Sequence, residues 1–269
     1  MSPKILHHYP VRGVEEIARD TYILSFEDAD TSRSVRAGQF LEIKVPHCAE
    51  ILWRRPFSVH NTHPQKNTVD VLFRAVGCGT RSLAHLTPGM ELDVLGPLGN
   101  HFYYEREMRE AIVVAGGLGI APFMLMMREL EQREIPTQIF YGAGSADQFC
   151  DLQAFERYAT LHLSTVDGSL GKRGLVTEML SDYLDRNRDN HGKSLFVCGP
   201  TPMLHKVKEI AEYHGTAAQA SVETVMACGF GACVGCAVPM ANPVPGQKEY
   251  FLACKDGPVF DMSEIRIDD

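Results

Sequence analysis

Four thiols carry the strongest chemical signal in this chain. Cys228, Cys233 and Cys236 lie within Cys228-Gly-Phe-Gly-Ala-Cys233-Val-Gly-Cys236, and Cys254 follows at a distance. Three thiolates with gaps of four and two residues, completed by a remote fourth, match the plant-type spacing for a [2Fe–2S] cluster. Such a centre needs a tight loop that turns its sulfurs inward and leaves backbone N–H groups free to hydrogen-bond the sulfides. Gly229, Gly231 and Gly235 supply the permissive backbone. Zinc also accepts four cysteines, but structural zinc usually draws on two close pairs, and here the second half offers only Cys254. Disulfides are the remaining reading, for an oxidising compartment.

Three further motifs have the chemistry to hold nucleotide cofactors. In Arg54-Arg55-Pro56-Phe57-Ser58-Val59, the planar fork of an arginine suits a flavin diphosphate. Ser58 offers a hydroxyl partner for the flavin N5, and Phe57 an apolar face. Taken alone, the segment reads equally well as an edge strand with solvated arginines. The second motif, Leu72-Phe73-Arg74-Ala-Val-Gly77-Cys78-Gly79-Thr80, leads a strand through a glycine turn into a helix start, where backbone N–H groups can cradle a pyrophosphate. A plain turn with Thr80 as helix cap has the same pattern. The third, Ala115-Gly116-Gly117-Leu118-Gly119-Ile-Ala-Pro122, lets a dinucleotide approach a helix N-terminus closely. Its companion is the corner Cys198-Gly199-Pro200, at the carboxyl end of another strand, where ligands bind in open α/β sheets. Cys198 would then point at the crevice; otherwise it is a small buried core residue.

The elements that must position these groups fall into three parts. Residues 1–104 read as a small antiparallel barrel, with alternating strands at Thr21–Phe26, Gln39–Val45 and Thr68–Arg74 and one helical stretch, Thr80–Leu86. Residues 105–218 alternate apolar strands (Ala111–Ala115, Thr137–Tyr141, Leu161–Thr165, Ser194–Cys198) with helices (Pro122–Arg133, Gln153–Tyr158, Leu175–Asp185, Pro202–His214), as in a doubly wound parallel sheet. Residues 219–269 form a small segment around the cysteines. A hydrophobic content of 45% supports ordinary cores. A net charge of −8 without a basic block argues against nucleic acid or an anionic membrane as partner. The apolar stretch 111–127 is broken by Gly116, Gly117, Gly119 and Pro122 and is no membrane span. The N-terminus lacks a signal-peptide core, which points to the cytoplasm and to eight reduced cysteines.

In this order, Arg-Pro-x-Ser, Gly-x-Gly-Thr, Gly-Gly-x-Gly-x-Ala-Pro and Cys-Gly-Pro resemble the ferredoxin–NADP reductase superfamily. The cysteine loop, with Met226-Ala-Cys228, Cys254-Lys-Asp-Gly-Pro-Val-Phe260 and Gly96-Pro-Leu-Gly-Asn100, is similar to a narrower family, the electron-transfer subunits of class 1B dihydroorotate dehydrogenases. That resemblance covers essentially the whole chain. It implies FAD, NAD(H) and a [2Fe–2S] cluster, held by Cys228, Cys233, Cys236 and Cys254. The implied partner is an FMN-containing dihydroorotate dehydrogenase catalytic subunit of pyrimidine biosynthesis, in a complex with two copies of each subunit. It further implies that Arg55, Pro56, Phe57 and Ser58 contact the flavin, Leu72, Phe73 and Arg74 its ribityl and adenine side, and Gly79 and Thr80 the pyrophosphate. Gly116, Gly117, Gly119, Cys198, Gly199 and Pro200 fall to NAD(H), with Ser58 and Cys198 as catalytic residues. Phe57 departs from the aliphatic residue more usual in these subunits and from the tyrosine of broader relatives. The related alternative is a flavin and iron–sulfur subunit of a sulfhydrogenase or sulfite reductase. Loop 228–236 is expected near a protein interface, with Phe230 and Val234 as apolar contacts. NADH is expected over NADPH, because Asp147 follows the strand 137–141 and no arginine stands beside it in sequence.

Overall fold

A computed structural model describes residues 5–46, 51–187, 189–244, 246 and 248–267. Six strands close a barrel: β1 (Ile5–Ala18), β2 (Thr21–Glu27), β3 (Phe40–Ile43), β4 (Arg55–His63), β5 (Thr68–Arg74) and β6 (Glu91–Leu98), in the order β1-β2-β5-β4-β3-β6. Leu24, Phe26, Val59, Val69, Val71 and Phe73 fill its interior. Two short helices attach to it, α1 (Ala29–Ser34) and α2 (Cys78–Ala84). The sequence pattern predicts only one helix here. It does not show α1, because six residues are too few for a helical period; what fixes this helix is a cap, Asp28 Oδ1 accepting the Thr31 N–H at 2.9 Å.

The second layer is a sheet built from β7 (Glu110–Gly116), β8 (Thr137–Ala143), β9 (Thr160–Thr165), β10 (Lys172–Arg173), β11 (Lys193–Cys198) and β12 (Ala217–Ser221), all parallel to their neighbours. Its helices are α3 (Phe123–Glu131), α4 (Leu152–Phe155), α5 (Val176–Arg186) and α6 (Thr201–His214). Alternation along β7 explains why both faces are covered. Val113 and Ala115 share one core with Phe123, Met126 and Leu130 of α3. Ile112 and Val114 share the other with Leu180 and Leu184 of α5 and Val207 and Ile210 of α6. No helix among the described residues is long and apolar enough to cross a membrane.

The cysteine segment does not stand apart. Its strands β13 (Ala237–Pro239) and β14 (Tyr250–Leu252) form a two-stranded ribbon. Its last strand, β15 (Val259–Asp261), joins the sheet antiparallel to β12 as the outermost of seven strands, β10-β9-β8-β7-β11-β12-β15. The division expected at residue 219 therefore falls inside β12.

Asn100 fastens this segment to the barrel. Its Nδ2 donates to Asp256 O at 2.9 Å and Val259 O at 2.7 Å, its Oδ1 accepts from Val259 N–H at 2.9 Å, and its own N–H donates to Gly257 O at 2.6 Å. Asn100→Ala removes the side-chain bonds and leaves half-buried backbone groups unpaired, a loss of about 2–3 kcal/mol. Thermal unfolding of the variant should begin lower and release iron before flavin; an unchanged melting curve would count against the clamp.

The barrel and sheet are locked together at α3. Arg128 donates to Asn61 Oδ1 and to the Thr62 carbonyl of β4, and Glu129 accepts from Ala37 N–H at 3.2 Å and from Tyr104 OH at 2.6 Å. Buried His60 of β4 donates through Nδ1 to Ala121 O at 2.8 Å. These contacts hold the glycine loop after β7 against the barrel.

Candidate redox site

Between barrel, sheet and cysteine segment lies a cavity of about 450 Å³. Pro56, Phe57 and Ser58 of β4 line it, with Leu72, Phe73 and Arg74 of β5, and Thr80 of α2. Seven of the residues expected at a flavin thus converge, although they come from separate parts of the chain. Phe57 and Phe73 meet edge to face at 6.0 Å. Two expected residues do not line the cavity. Arg55 sits at the exposed start of β4. Gly79 is buried and is glycine for a packing reason: a Cβ there would lie 2.6 Å from Ile51 Cδ1. Thr80 Oγ1 accepts the Val76 N–H at 3.0 Å and the Gly77 N–H at 3.2 Å, so this hydroxyl shapes the turn.

A larger cavity of about 880 Å³ lies at the carboxyl ends of β7, β8, β9 and β11. Gly116, Gly117, Gly119, Gly199 and Pro200 line it, as expected. Gly119 serves a closer purpose than room for a ligand. A Cβ on it would overlap the carbonyl of Cys198, so the loop after β7 and the end of β11 touch backbone to backbone. Cys198 itself does not reach the crevice. It is buried at the end of β11, just short of Gly199 and Pro200, which line the cavity, and it lies near Ser221 and Glu223. Burial, then the nearby Glu223, pushes its thiol well above the ordinary range, against a hydrogen bond with Ser221.

The two cavities share Arg74, Leu118 and Glu223. Glu223 has no signature in the sequence, because a single carboxylate after a strand carries no pattern. Burial pushes its carboxyl up. Arg74 is held in place by its own bonds, Nε to Thr21 Oγ1 at 3.2 Å and Nη2 to Gln148 O at 3.3 Å.

The cysteines form two pairs of sulfurs. Cys236 Sγ and Cys254 Sγ lie 3.2 Å apart, and Cys233 stands within hydrogen-bonding reach of Cys228. Among the described residues no three His, Cys, Asp or Glu side chains gather as they would around one ion. Two dithiol pairs fit a centre of two irons, each taking two thiolates, as a Cys-ligated [2Fe–2S] cluster requires. The backbone is shaped for this. Gly229 and Gly231 take φ of +73° and +90°; Gly235 does not, and Val234 adopts +61° in its place, an unusual posture for a β-branched residue. Burial raises the Cys228 thiol, but N–H groups of Phe230, Cys233 and Ala232 outweigh it and bring the thiol down to about 6. Cys254 is pushed up to about 12 by burial and by Cys236. Thiolate is thus favoured first at the loop. Beneath the loop, Gly229 packs on Glu42, a fully buried acid with no hydrogen-bond partner for either oxygen. Its carboxyl is raised to about 7 by burial and by Cys228, against the pull of Arg54 and Arg55.

Cys150, Cys198, Cys228, Cys233, Cys236 and Cys254 carry free thiols, whereas Cys78 is disulfide-bonded, so the expectation of eight reduced cysteines fails at Cys78. Cys48 lies outside the described residues.

A closed barrel, a parallel sheet with a glycine loop, and two cavities meeting at their edges define a flavin- and NAD-binding oxidoreductase of the ferredoxin–NADP reductase type, here carrying an iron–sulfur domain. Family descriptions agree segment by segment: an oxidoreductase FAD-binding domain matches residues 8–103, an oxidoreductase NAD-binding domain residues 113–209, and the iron-sulfur cluster binding domain of dihydroorotate dehydrogenase B residues 223–266. The chain belongs to the family of dihydroorotate dehydrogenase B (NAD(+)) electron transfer subunits. It is 39% identical to the member from Shouchella clausii over 93% of this chain and 94% of that one. It is 32% identical to the member from Fusobacterium nucleatum over 94% and 95%. Among solved structures, a chain of the NADH-dependent reduced ferredoxin-NADP oxidoreductase superposes with a TM-score of 0.84 at 26% identity, covering 99% of this chain and 92% of that chain. Phthalate dioxygenase reductase shares the fold, with a TM-score of 0.66 at 16% identity over 93% and 94%.

Proposed function

We propose that this chain relays electrons between NAD(H) and the FMN-containing catalytic subunit of a dihydroorotate dehydrogenase, in the cytoplasm, in a complex with two copies of each subunit. The observation that carries this reading is the contact between the two cavities at Arg74, Leu118 and Glu223. A nicotinamide in the larger cavity and a flavin in the smaller would meet there. When bound, FAD accepts a hydride and releases single electrons, and the cluster passes them on. This chain's residues bind and orient. Pro56, Phe57, Ser58, Leu72, Phe73 and Arg74 hold the flavin, with Arg55 supplying a cation and Gly79 and Thr80 the turn beside the diphosphate. Ser58 offers its hydroxyl at the flavin N5. Gly116, Gly117, Gly119, Gly199 and Pro200 form the floor under NAD(H), and Cys198 supports the nicotinamide end from beneath, next to Glu223. Cys228, Cys233, Cys236 and Cys254 hold the cluster. The units are 1–104 for FAD, 105–218 for NAD and 219–269 for the cluster, the last two sharing strand β12.

The exit is short. Met226 lines the flavin cavity and packs in the same core as Cys236 and Cys254. Val225, Phe230 and Val234 are exposed around the cysteine loop, which suits a partner's apolar surface. Reconstitution tests the assignment: adding the cognate FMN subunit should create NAD-linked dihydroorotate oxidation that neither subunit performs alone. Turnover of dihydroorotate by the isolated chain would overturn it. The likeness to the ferredoxin-NADP oxidoreductase chain favours one second reading, a subunit of another electron-transferring assembly, such as a sulfhydrogenase or sulfite reductase. Failure to couple with any FMN subunit, with NADH–dye activity intact, would select it.

NADH should be preferred over NADPH. Asp147 and Asp167 follow the neighbouring strands β8 and β9, and their loops are tied by Ala146 N–H donating to Ser169 Oγ at 2.8 Å. Hydrogen bonds from Ser145 and Arg19 hold Asp147 below the usual carboxylate range, and Ser169 does the same for Asp167. Both therefore stay ionised and repel a 2′-phosphate. The fold does bring arginines to this edge: Arg19 of the β1–β2 turn, whose Nη1 is engaged by Asp147 Oδ2 at 3.2 Å, and Arg173 of β10, whose side chain packs on Gly168 beside Asp167. Equal kcat/KM for the two dinucleotides would refute the preference.

A further inference from the structure

Lys206 is the charged residue of the larger cavity that no motif accounts for. It lines the cavity from α6 together with Pro202 and Met203, one turn earlier on the same helix face. Among the described residues the charged groups of that lining are Arg74, Lys206 and Glu223. A dinucleotide brings a diphosphate with two negative charges into a space otherwise lined by glycine, small polar and apolar side chains. Arg74 is assigned to the flavin and is tied to Thr21 and Gln148, and Glu223 has the wrong sign. That leaves Lys206. Its Nζ is parked 2.8 Å from Glu209 Oε2, both side chains being about half exposed. An exposed ion pair of this kind is weak, and a lysine stem reorients freely. Glu209 would not be stranded by the exchange, because His205 Nδ1 lies 3.6 Å from its other oxygen.

We propose that Lys206 is a binding residue for the dinucleotide diphosphate, exchanging Glu209 for phosphate oxygens when the cofactor enters. This rests on the reading of the larger cavity as the NAD(H) site. The exchange makes no bond and moves no electron; it trades one charge-assisted hydrogen bond for another. The test is calorimetric titration of the flavin- and cluster-loaded protein with ADP-ribose at two ionic strengths, comparing Lys206→Ala, Lys206→Arg, Glu209→Gln and Gly199→Val. Lys206→Ala should weaken binding about tenfold and flatten its salt dependence. Lys206→Arg should bind nearly as the parent does. Glu209→Gln should bind more tightly, since it removes the competitor without touching the lysine. Gly199→Val is the control for the cavity: its Cβ would sit 3.0 Å from the backbone N of Gly116, and the branched methyl groups beyond it would fill the floor between Gly116 and Met203, so it should block the site. Unchanged binding in Lys206→Ala beside abolished binding in Gly199→Val would overturn the role of Lys206 alone. Full binding in Gly199→Val would remove the dinucleotide from this cavity, and the proposal with it.

Discussion

Alanine at position 119 should slow flavin reduction by NADH about a hundredfold or more, while flavin and cluster absorbance survive. Adding one methyl group there places it inside the carbonyl of Cys198, and the neighbouring Gly199 N is no farther than 2.9 Å. Backbone on both sides cannot give way as a flexible side chain would, so the loop after β7 must lift from β11. The displacement is small, but it moves the floor of the larger cavity relative to Glu223 and Arg74, where the two cofactors would meet. Misplacement of reacting groups by about 1 Å is enough for a loss of this order. Gly117→Ala sets the scale. Gly117 has φ +54° and nothing within 4 Å of an added methyl, so its alanine meets only backbone strain of about 1–2 kcal/mol. Stopped-flow reduction of both variants should rank Gly119→Ala far below Gly117→Ala. The reverse order, or parental rates in Gly119→Ala, would mean that the tight seam plays no part in positioning NAD(H).

Cys254→Ser should abolish the cluster and, with it, electron delivery to a partner subunit, while most of the NADH–dye activity remains. The expectation follows from where the ligands lie. Cys254 is fully buried against Cys236, and its N–H donates to Cys236 Sγ at 3.5 Å. The smaller cavity is instead lined by β4, β5, the glycine loop, residues 221–224 and Met226, with Pro258. Removing one thiolate of four leaves one iron short of a ligand without touching a flavin contact. Anaerobically purified parent protein should contain two irons and two acid-labile sulfides per chain, as this cluster type requires, and its reduced form should give an EPR signal that the variant lacks. One zinc per chain with no iron in the parent would end the iron–sulfur reading. Full coupling in the variant would end the relay.

The parts of this molecule that are legible in the sequence are those with local causes. Strand β5 can be read to the residue, Thr68–Arg74, because Val69, Val71 and Phe73 recur at every second position. The central parallel strands β7 and β11 stand out as short apolar runs, since burial on both faces leaves no polar beat. Strand β1 escapes notice: Pro10, Gly13 and several charged residues interrupt its fourteen positions, and it is a strand because it pairs with both β2 and β6. The helix expected over 153–158 is only Leu152–Phe155, entered from Asp151 at φ +54°, a geometry that no residue pattern announces. At the site, cysteines and glycines are visible because their spacing has chemical meaning. Glu223 and Lys206 are not, because what matters is the cavity they border, and that depends on α6 and β12 lying beside β11. Cys198 falls on the expected strand but is buried, one residue short of the lining that Gly199 and Pro200 form.

Strand β15 has a consequence for how current leaves this molecule. A cluster domain hung on a flexible linker can work as a courier, docking at the flavin, departing, and docking again at its customer. Here the chain returns from the cysteine loop to hydrogen-bond along β12, and Asn100 pins the turn before it. The cysteine segment is therefore a fixed terminal, wired to the frame that also carries the glycine loop after β7. Solvent viscosity should have little influence on the internal step. The module also cannot be cut off at β12 without baring a sheet edge, so electron output can be redirected only by changing what docks against it.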